Sequence, residues 1–190
     1  MKNTTVDFEK YLNFHKEYGG TGKIFKFKFL EYKKGILKLE GEFTSMALNP
    51  NQSVQGGQMN SMLDDVTSLL VIYESKGEYY PSSTNLHSIH HRPLFAGKVI
   101  ASAEIIKIGK KIASIKGELH NKEGKLATTL IHTAVLVKAL PDEWLLLLIN
   151  FSGVFYLVAF VKVVFTNKHI STKTKNKSTW RIAIKLEAIT

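Results

Sequence analysis

One apolar stripe restricts the fold of this chain more than any other feature. Met59, Met62, Leu63, Val66, Leu69, Leu70 and Tyr73 recur at intervals of three and four, which predicts a helix over about 58–75 with one continuous apolar side. Around the wheel, Asp65 borders the stripe. Asp64 lies almost opposite it, with Asn60, Ser61, Thr67 and Ser68 nearby. Such a helix needs an apolar surface to rest on, and the segments around it supply strands.

Phe25, Phe27 and Phe29 alternate with Lys26 and Lys28, the period of a half-buried strand. Lys34-Gly35 predicts a turn, and Ile36, Leu37, Leu39, Gly41 and Phe43 a returning strand. Residues 46–57 predict a loop around Asn49-Pro50-Asn51. After Gly77 come four strand-like runs, roughly 82–92, 98–108, 111–121 and 125–138. Their turns are Phe95-Ala-Gly97, Gly109-Lys110 and Asn121-Lys-Glu-Gly124. Residues 5–17 predict a short leading helix with Phe8, Leu12 and Tyr11 on its apolar side. Together these predict an α+β domain: two strands, one long helix, then an antiparallel meander, with the helix against a curved sheet.

At 190 residues and 44% apolar composition the chain can bury a core as one domain, with length to spare for an appendage. It has no cysteine, which removes disulfides, thiolate metal sites and cysteine nucleophiles and fits a reducing compartment. The N-terminal stretch to Glu17 is polar and shows no secretory signal. The net charge of +10 comes mostly from scattered lysines. With no helix-turn-helix, zinc finger or RNP-like motif, no nucleic-acid partner is expected.

The chemistry concentrates in Val54–Asp65. Gly56 and Gly57 open the long helix, where bare N–H groups and the helix dipole suit an oxygen that becomes negative during reaction. Asp64 and Asp65 follow two turns later as candidate bases or nucleophiles. His87, His90 and His91 read as strand-surface histidines, and no metal site is expected.

Over about 20–138 these residues resemble the hotdog-fold acyl-CoA thioesterases of the phenylacetate-pathway (PaaI-like) group. That family carries an Asn, a His-Gly-Gly turn, a helix and an acidic residue nine positions after the His. Here Asn49 stands six positions before Gln55, Gln55-Gly56-Gly57 occupies the turn, and Asp64 falls nine after Gln55. Ser83, or its neighbour Thr84, precedes Arg92-Pro93 in the family's register. The run Gly109 to Leu126 resembles its last hairpin. Gln55 departs from the family's His: it can hydrogen-bond but does not titrate near neutrality.

The resemblance implies an acyl-CoA thioesterase with a hotdog fold. Asp64 would be the base or nucleophile, and Gly57 would present its N–H to the thioester oxygen. Asn49 would orient water or the loop, Ser83 would position the attacking water, and Asp65 would act structurally. No separate cofactor is expected, because coenzyme A is part of the substrate. Arg92, Lys98, Lys107, Lys110 and Lys111 are candidates for its phosphates, foremost Arg92, Lys110 and Lys111. The resemblance also implies a homodimer or homotetramer, with the oxyanion turn and the carboxylate drawn from different subunits. Two other functions stand beside this one: a non-catalytic acyl-CoA-binding hotdog domain, and a dehydratase, which Gln55 disfavours.

A thioesterase domain over 1–140 leaves an atypical tail, 141–190. Its apolar stretch 144–165 is marginally long enough to span a membrane, and lysines follow it. The positive-inside rule would then place the domain away from cytoplasmic coenzyme A. Three readings of the tail stand: an interfacial membrane segment, a helix buried in an oligomer, or an aberrant extension. The expected compartment is the cytoplasm, with membrane association left to the tail.

Overall fold

The computed structural model describes residues 4–18 and 21–139; the tail expected over 141–190 lies outside them. In chain order the elements are α1 (Thr4–Tyr18), α2 (Gly22–Phe25), β1 (Lys28–Lys33), β2 (Ile36–Phe43), a 3-10 turn (Ser45–Ala47) and α3 (Gly56–Glu74). Then follow β3 (Tyr79–His90), β4 (Gly97–Ile108), β5 (Ile112–His120) and β6 (Leu126–Lys138). Among the described residues no helix is long and apolar enough to cross a membrane.

The six strands form one antiparallel sheet in the order β1-β2-β4-β5-β6-β3. The expected meander therefore holds only for β4-β5-β6. β3 crosses over to pair with β6 at the far edge, and β4 takes the place beside β2. Turn residues predict where a chain reverses, but not which neighbour a strand chooses across a loop as long as 91–96.

Helix α3 lies on one face of this sheet. Met59, Met62, Leu63, Val66, Leu69, Leu70 and Val71 are buried there, each side chain of that size contributing about 1.5–3 kcal/mol by leaving water. Two glycines let the helix come close. A Cβ on Gly41 would sit 2.9 Å from Met62 Cε, and one on Gly117 would sit 3.2 Å from both Leu63 Cδ2 and Thr67 Cγ2. Thr67, placed by the wheel on the polar side, is fully buried, because the sheet curves far enough around the helix to reach it.

The alternating phenylalanines also fold differently from the expectation. Residues 22–25 form a helical turn, Lys26 takes a left-handed conformation (φ 49°), and the strand starts only at Lys28. Phe25 and Phe27 are nonetheless fully buried with ring centroids 5.8 Å apart. A helical turn followed by one left-handed residue brings both rings to the same side, as a strand would. α1 closes the end of the core. Its Phe8 packs on Phe29 of β1 and Tyr73 of α3, each at 5.2 Å between centroids.

Candidate active site

The approach to α3 is built by the loop before it. Leu48 and Val54 form an isolated bridge, and the Gln55 N–H donates to the Ala47 carbonyl. Asn49 fastens the loop from inside. Its Oδ1 accepts from the Asn51 and Ser53 N–H groups, and its Nδ2 donates to Ser53 Oγ at 2.9 Å. This is an Asx-type turn, in which a side chain replaces a backbone acceptor.

Gln55 is the extended cap residue of α3 and is exposed; its side chain makes no capping hydrogen bond. Its carbonyl accepts from Gln58 and Met59. The N–H groups of Gly56 and Gly57 precede those bonds, so they have no acceptor within the helix. The two glycines differ in their surroundings. A Cβ on Gly57 would meet nothing within 4 Å, whereas one on Gly56 would lie 2.8 Å from His90 Nε2. His90, read from sequence as an ordinary strand histidine, thus packs over the start of the helix. Its Nδ1 lies 3.2 Å from Thr128 Oγ1.

Two turns along, Asp64 is partly exposed and meets Ser83: the Ser83 hydroxyl donates to Oδ1 at 2.8 Å. Thr84 instead donates to the Thr133 carbonyl, because a bulge between Ser83 and Asn85 turns it away. Of the two residues left open in the sequence, Ser83 reaches Asp64 and Thr84 does not. Asp65 is not part of this group. Its Oδ2 lies 3.3 Å from His15 Nε2 of α1, and both side chains are mostly buried.

A second partner of Asp64 escaped the sequence reading. His132 of β6 is fully buried, with Nε2 3.6 Å from Asp64 Oδ1 and Nδ1 2.7 Å from Thr67 Oγ1. Burial pushes this imidazole below its ordinary value, while the Asp64 carboxylate pulls it back upward. The clue in the sequence was a lone His at an inward position of β6, between the inward Leu130 and Ala134.

The remaining candidates lie apart. Gly57 and Asp64 are seven residues apart on one helix, roughly 10 Å of rise. Moreover, helical N–H groups point toward the N-terminus, so the Gly57 donor faces away from Asp64. Arg92 donates to the Leu126 carbonyl at the start of β6. Lys111 accepts from the Leu136 N–H at the other end of β6. Those two backbone positions are about 30 Å apart along the strand, so Arg92 and the Lys110-Lys111 hairpin do not grip one phosphate within a single chain. The hairpin borders a shallow hollow of about 320 Å³ lined by Lys107, Lys110, Lys111, Ile112 and Ser114. Lys98 is paired with Glu40 at 2.9 Å.

A long helix resting on a six-stranded antiparallel sheet, with its glycine-rich start exposed, defines the hotdog class. Within that class, residues 51–128 match the thioesterase superfamily. Solved structures with the same fold include the PaaI protein of E. coli from the phenylacetic acid degradation operon. It is 18% identical, with a TM-score of 0.62 over 71% of this chain and 96% of that one. A protein of Ralstonia eutropha JMP134, described as related to phenylacetic acid degradation, is 28% identical, with a TM-score of 0.58 over 66% and 98%. The protein smu.793 of Streptococcus mutans, solved with acetyl CoA bound, is 13% identical, with a TM-score of 0.55 over 60% and 91%. No curated protein sequence matches the chain.

Proposed function

We propose that the protein hydrolyses an acyl-CoA thioester to a free acid and coenzyme A, with Asp64 as base or nucleophile. The observation that carries this reading is the hydrogen bond from Ser83 to Asp64 Oδ1. It joins a carboxylate of α3 and a hydroxyl of β3, 19 residues apart, on the partly exposed side of α3. With Ser83 and His132 both addressing Oδ1, Oδ2 remains to take a proton from water or to attack the carbonyl carbon. The Ser83 oxygen keeps lone pairs that can orient that water. The superfamily match and the acetyl CoA held by the S. mutans neighbour support a coenzyme A thioester as the reactant.

The thioester oxygen needs donors, and the bare N–H of Gly57 offers one. That donor faces away from the Asp64 of its own chain, which supports a site composed from two copies. One copy would supply Gly57 and its loop, fastened by Asn49, with Gln55 beside it. The other would supply Asp64, Ser83 and His132. The edge of β3, which carries Ser83 and is unpaired among the described residues, is the surface suited to bringing two sheets together. Arg92 and the Lys110-Lys111 hairpin then serve as separate basic holds for the phosphates of coenzyme A.

The direct test is a panel of acyl-CoAs assayed for released thiol. Turnover of at least one member is the expected result. Binding of acyl-CoA with no turnover across the panel would leave a ligand-binding hotdog domain instead.

A further inference from the structure

We propose that His132 is a positioning residue for Asp64: held from behind by Thr67, its imidazole turns Nε2–H toward Oδ1 and fixes the carboxylate in the rotamer that Ser83 also grips. The inference rests on Asp64 being the reacting carboxylate.

The argument begins with burial. His132 faces the helix from the middle of β6, between its cross-strand partners Leu86 of β3 and Ile115 of β5. Neither neighbour is charged, and Asp64 is the charged group that α3 turns toward the ring. An imidazole enclosed in this way is costly unless its nitrogens find partners. Nδ1 has one, Thr67 Oγ1 at 2.7 Å. Nε2 is buried without a hydrogen bond and stops 3.6 Å from Asp64 Oδ1. An apolar residue would fill the same space between Leu86 and Ile115 without that cost. The polar ring is therefore best explained by what it faces.

Counting hydrogens selects the tautomer. A carboxylate only accepts, so the contact at Oδ1 is favourable only when Nε2 carries the hydrogen. In a neutral ring Nδ1 is then a lone pair and needs a donor. Thr67 has one hydroxyl hydrogen, and three acceptors surround it: His132 Nδ1, the Leu63 carbonyl at 2.7 Å and the Asp64 carbonyl at 3.1 Å. Giving it to Leu63 would force the hydrogen onto Nδ1 and set the Nε2 lone pair against the carboxylate. Giving it to His132 satisfies both ends of the ring. Burial, which disfavours the charged imidazole, keeps the ring neutral so that the tautomer matters. The 3.6 Å separation is longer than a formed hydrogen bond but keeps ring and carboxylate in electrostatic contact.

The test is ring 15N NMR of the full chain at mildly alkaline pH. Wild-type protein is expected to hold His132 as the Nε2–H tautomer, and Thr67→Val to lose that preference. Asp64→Ala is expected to shift the His132 titration to lower pH, because the carboxylate that favoured its protonation is gone. An Nδ1–H tautomer in wild type, or an Asp64→Ala variant with unchanged titration, would overturn the proposal. Both variants keep the buried ring in place, so the measurement does not depend on replacing it.

Kinetics add a second readout. His132→Leu is expected to lower kcat by about tenfold or more at unchanged KM, through loss of carboxylate orientation. His132→Gln, whose amide N–H approximates Nε2, is expected to recover part of it. Equal kcat in the Leu and Gln variants would also overturn the proposal. If no acyl-CoA is turned over, the NMR result still judges the His132–Asp64 pairing while the thioesterase reading fails by itself.

Discussion

The two stretches of α3 that the proposed reaction uses are furnished in opposite ways. At its first turn, Gly57 has no side chain, no neighbour within 4 Å of its would-be Cβ and no acceptor for its N–H. In its middle, Asp64 is held by Ser83 from β3 and faced by His132 from β6, with Thr67 of its own helix behind the histidine. The first turn is left open by its own chain, and the middle is assembled by it. On the proposed reading, one copy completes only one of the two ends that the reaction uses.

The sharpest way to break this contrast is at the furnished end. Asp64→Ala should lower kcat on a responsive acyl-CoA by about 10²–10⁴-fold, the usual worth of a positioned acid–base group. Thermal unfolding should stay near wild type, since the side chain is partly exposed. Retained turnover would show that the assembled carboxylate is not the reacting group.

At the open end the expected signature is the reverse. Gly57→Ala should stabilise α3 by about 0.5–1 kcal/mol, because alanine is the better helix former and nothing in the chain obstructs it. It should nevertheless lower turnover by something on the order of 10², because substrate must approach this backbone closely. Full activity would remove the turn from the site. Mixing this variant with Asp64→Ala should restore about a quarter of wild-type activity, since half of the dimers would carry one intact composite site. No recovery after subunit exchange would contradict a site drawn from two copies.

A smaller effect concerns the buried histidine. Folding lowers the His132 titration from the ordinary 6.5, so below that pH the unfolded chain binds the extra proton and stability falls. His132→Leu removes this contribution. Its melting temperature should therefore decline less steeply than wild type as pH falls from about 6.5 to about 5. Parallel slopes in the two proteins would show that the ring is not held neutral by burial. Smallest of all, Lys110→Glu with Lys111→Glu should raise KM for coenzyme A thioesters by about two- to tenfold at low salt. The difference should shrink as salt is added. An unchanged KM would place the phosphates elsewhere.

The helix and its apolar side were legible because spacing alone defines them, and strand positions were legible from turn residues. Strand order was not, because pairing between β3 and β6 is a choice made across the whole sheet. The same divide runs through the candidate site. Asp64 and Gly57 sit on one helix whose period places them. His132 is 68 positions further along and reaches Asp64 only because β6 packs beneath α3. A buried histidine between Leu130 and Ala134 looks like any core residue until its neighbour is known. His90 is the exposed strand histidine expected, but alternation counted from Ser83 does not foresee that it lies over Gly56.

That last point turns on the extra residue at Thr84. Before it, β3 directs odd-numbered side chains such as Pro81 and Ser83 toward the helix; after it, even-numbered ones such as Leu86 and His90. The bulge acts as a change of parity within one strand. It allows a hydroxyl for the carboxylate and an imidazole for the glycine turn to come from a single edge. Removing one residue there would leave every strand pairing available and yet point one of those two groups at solvent.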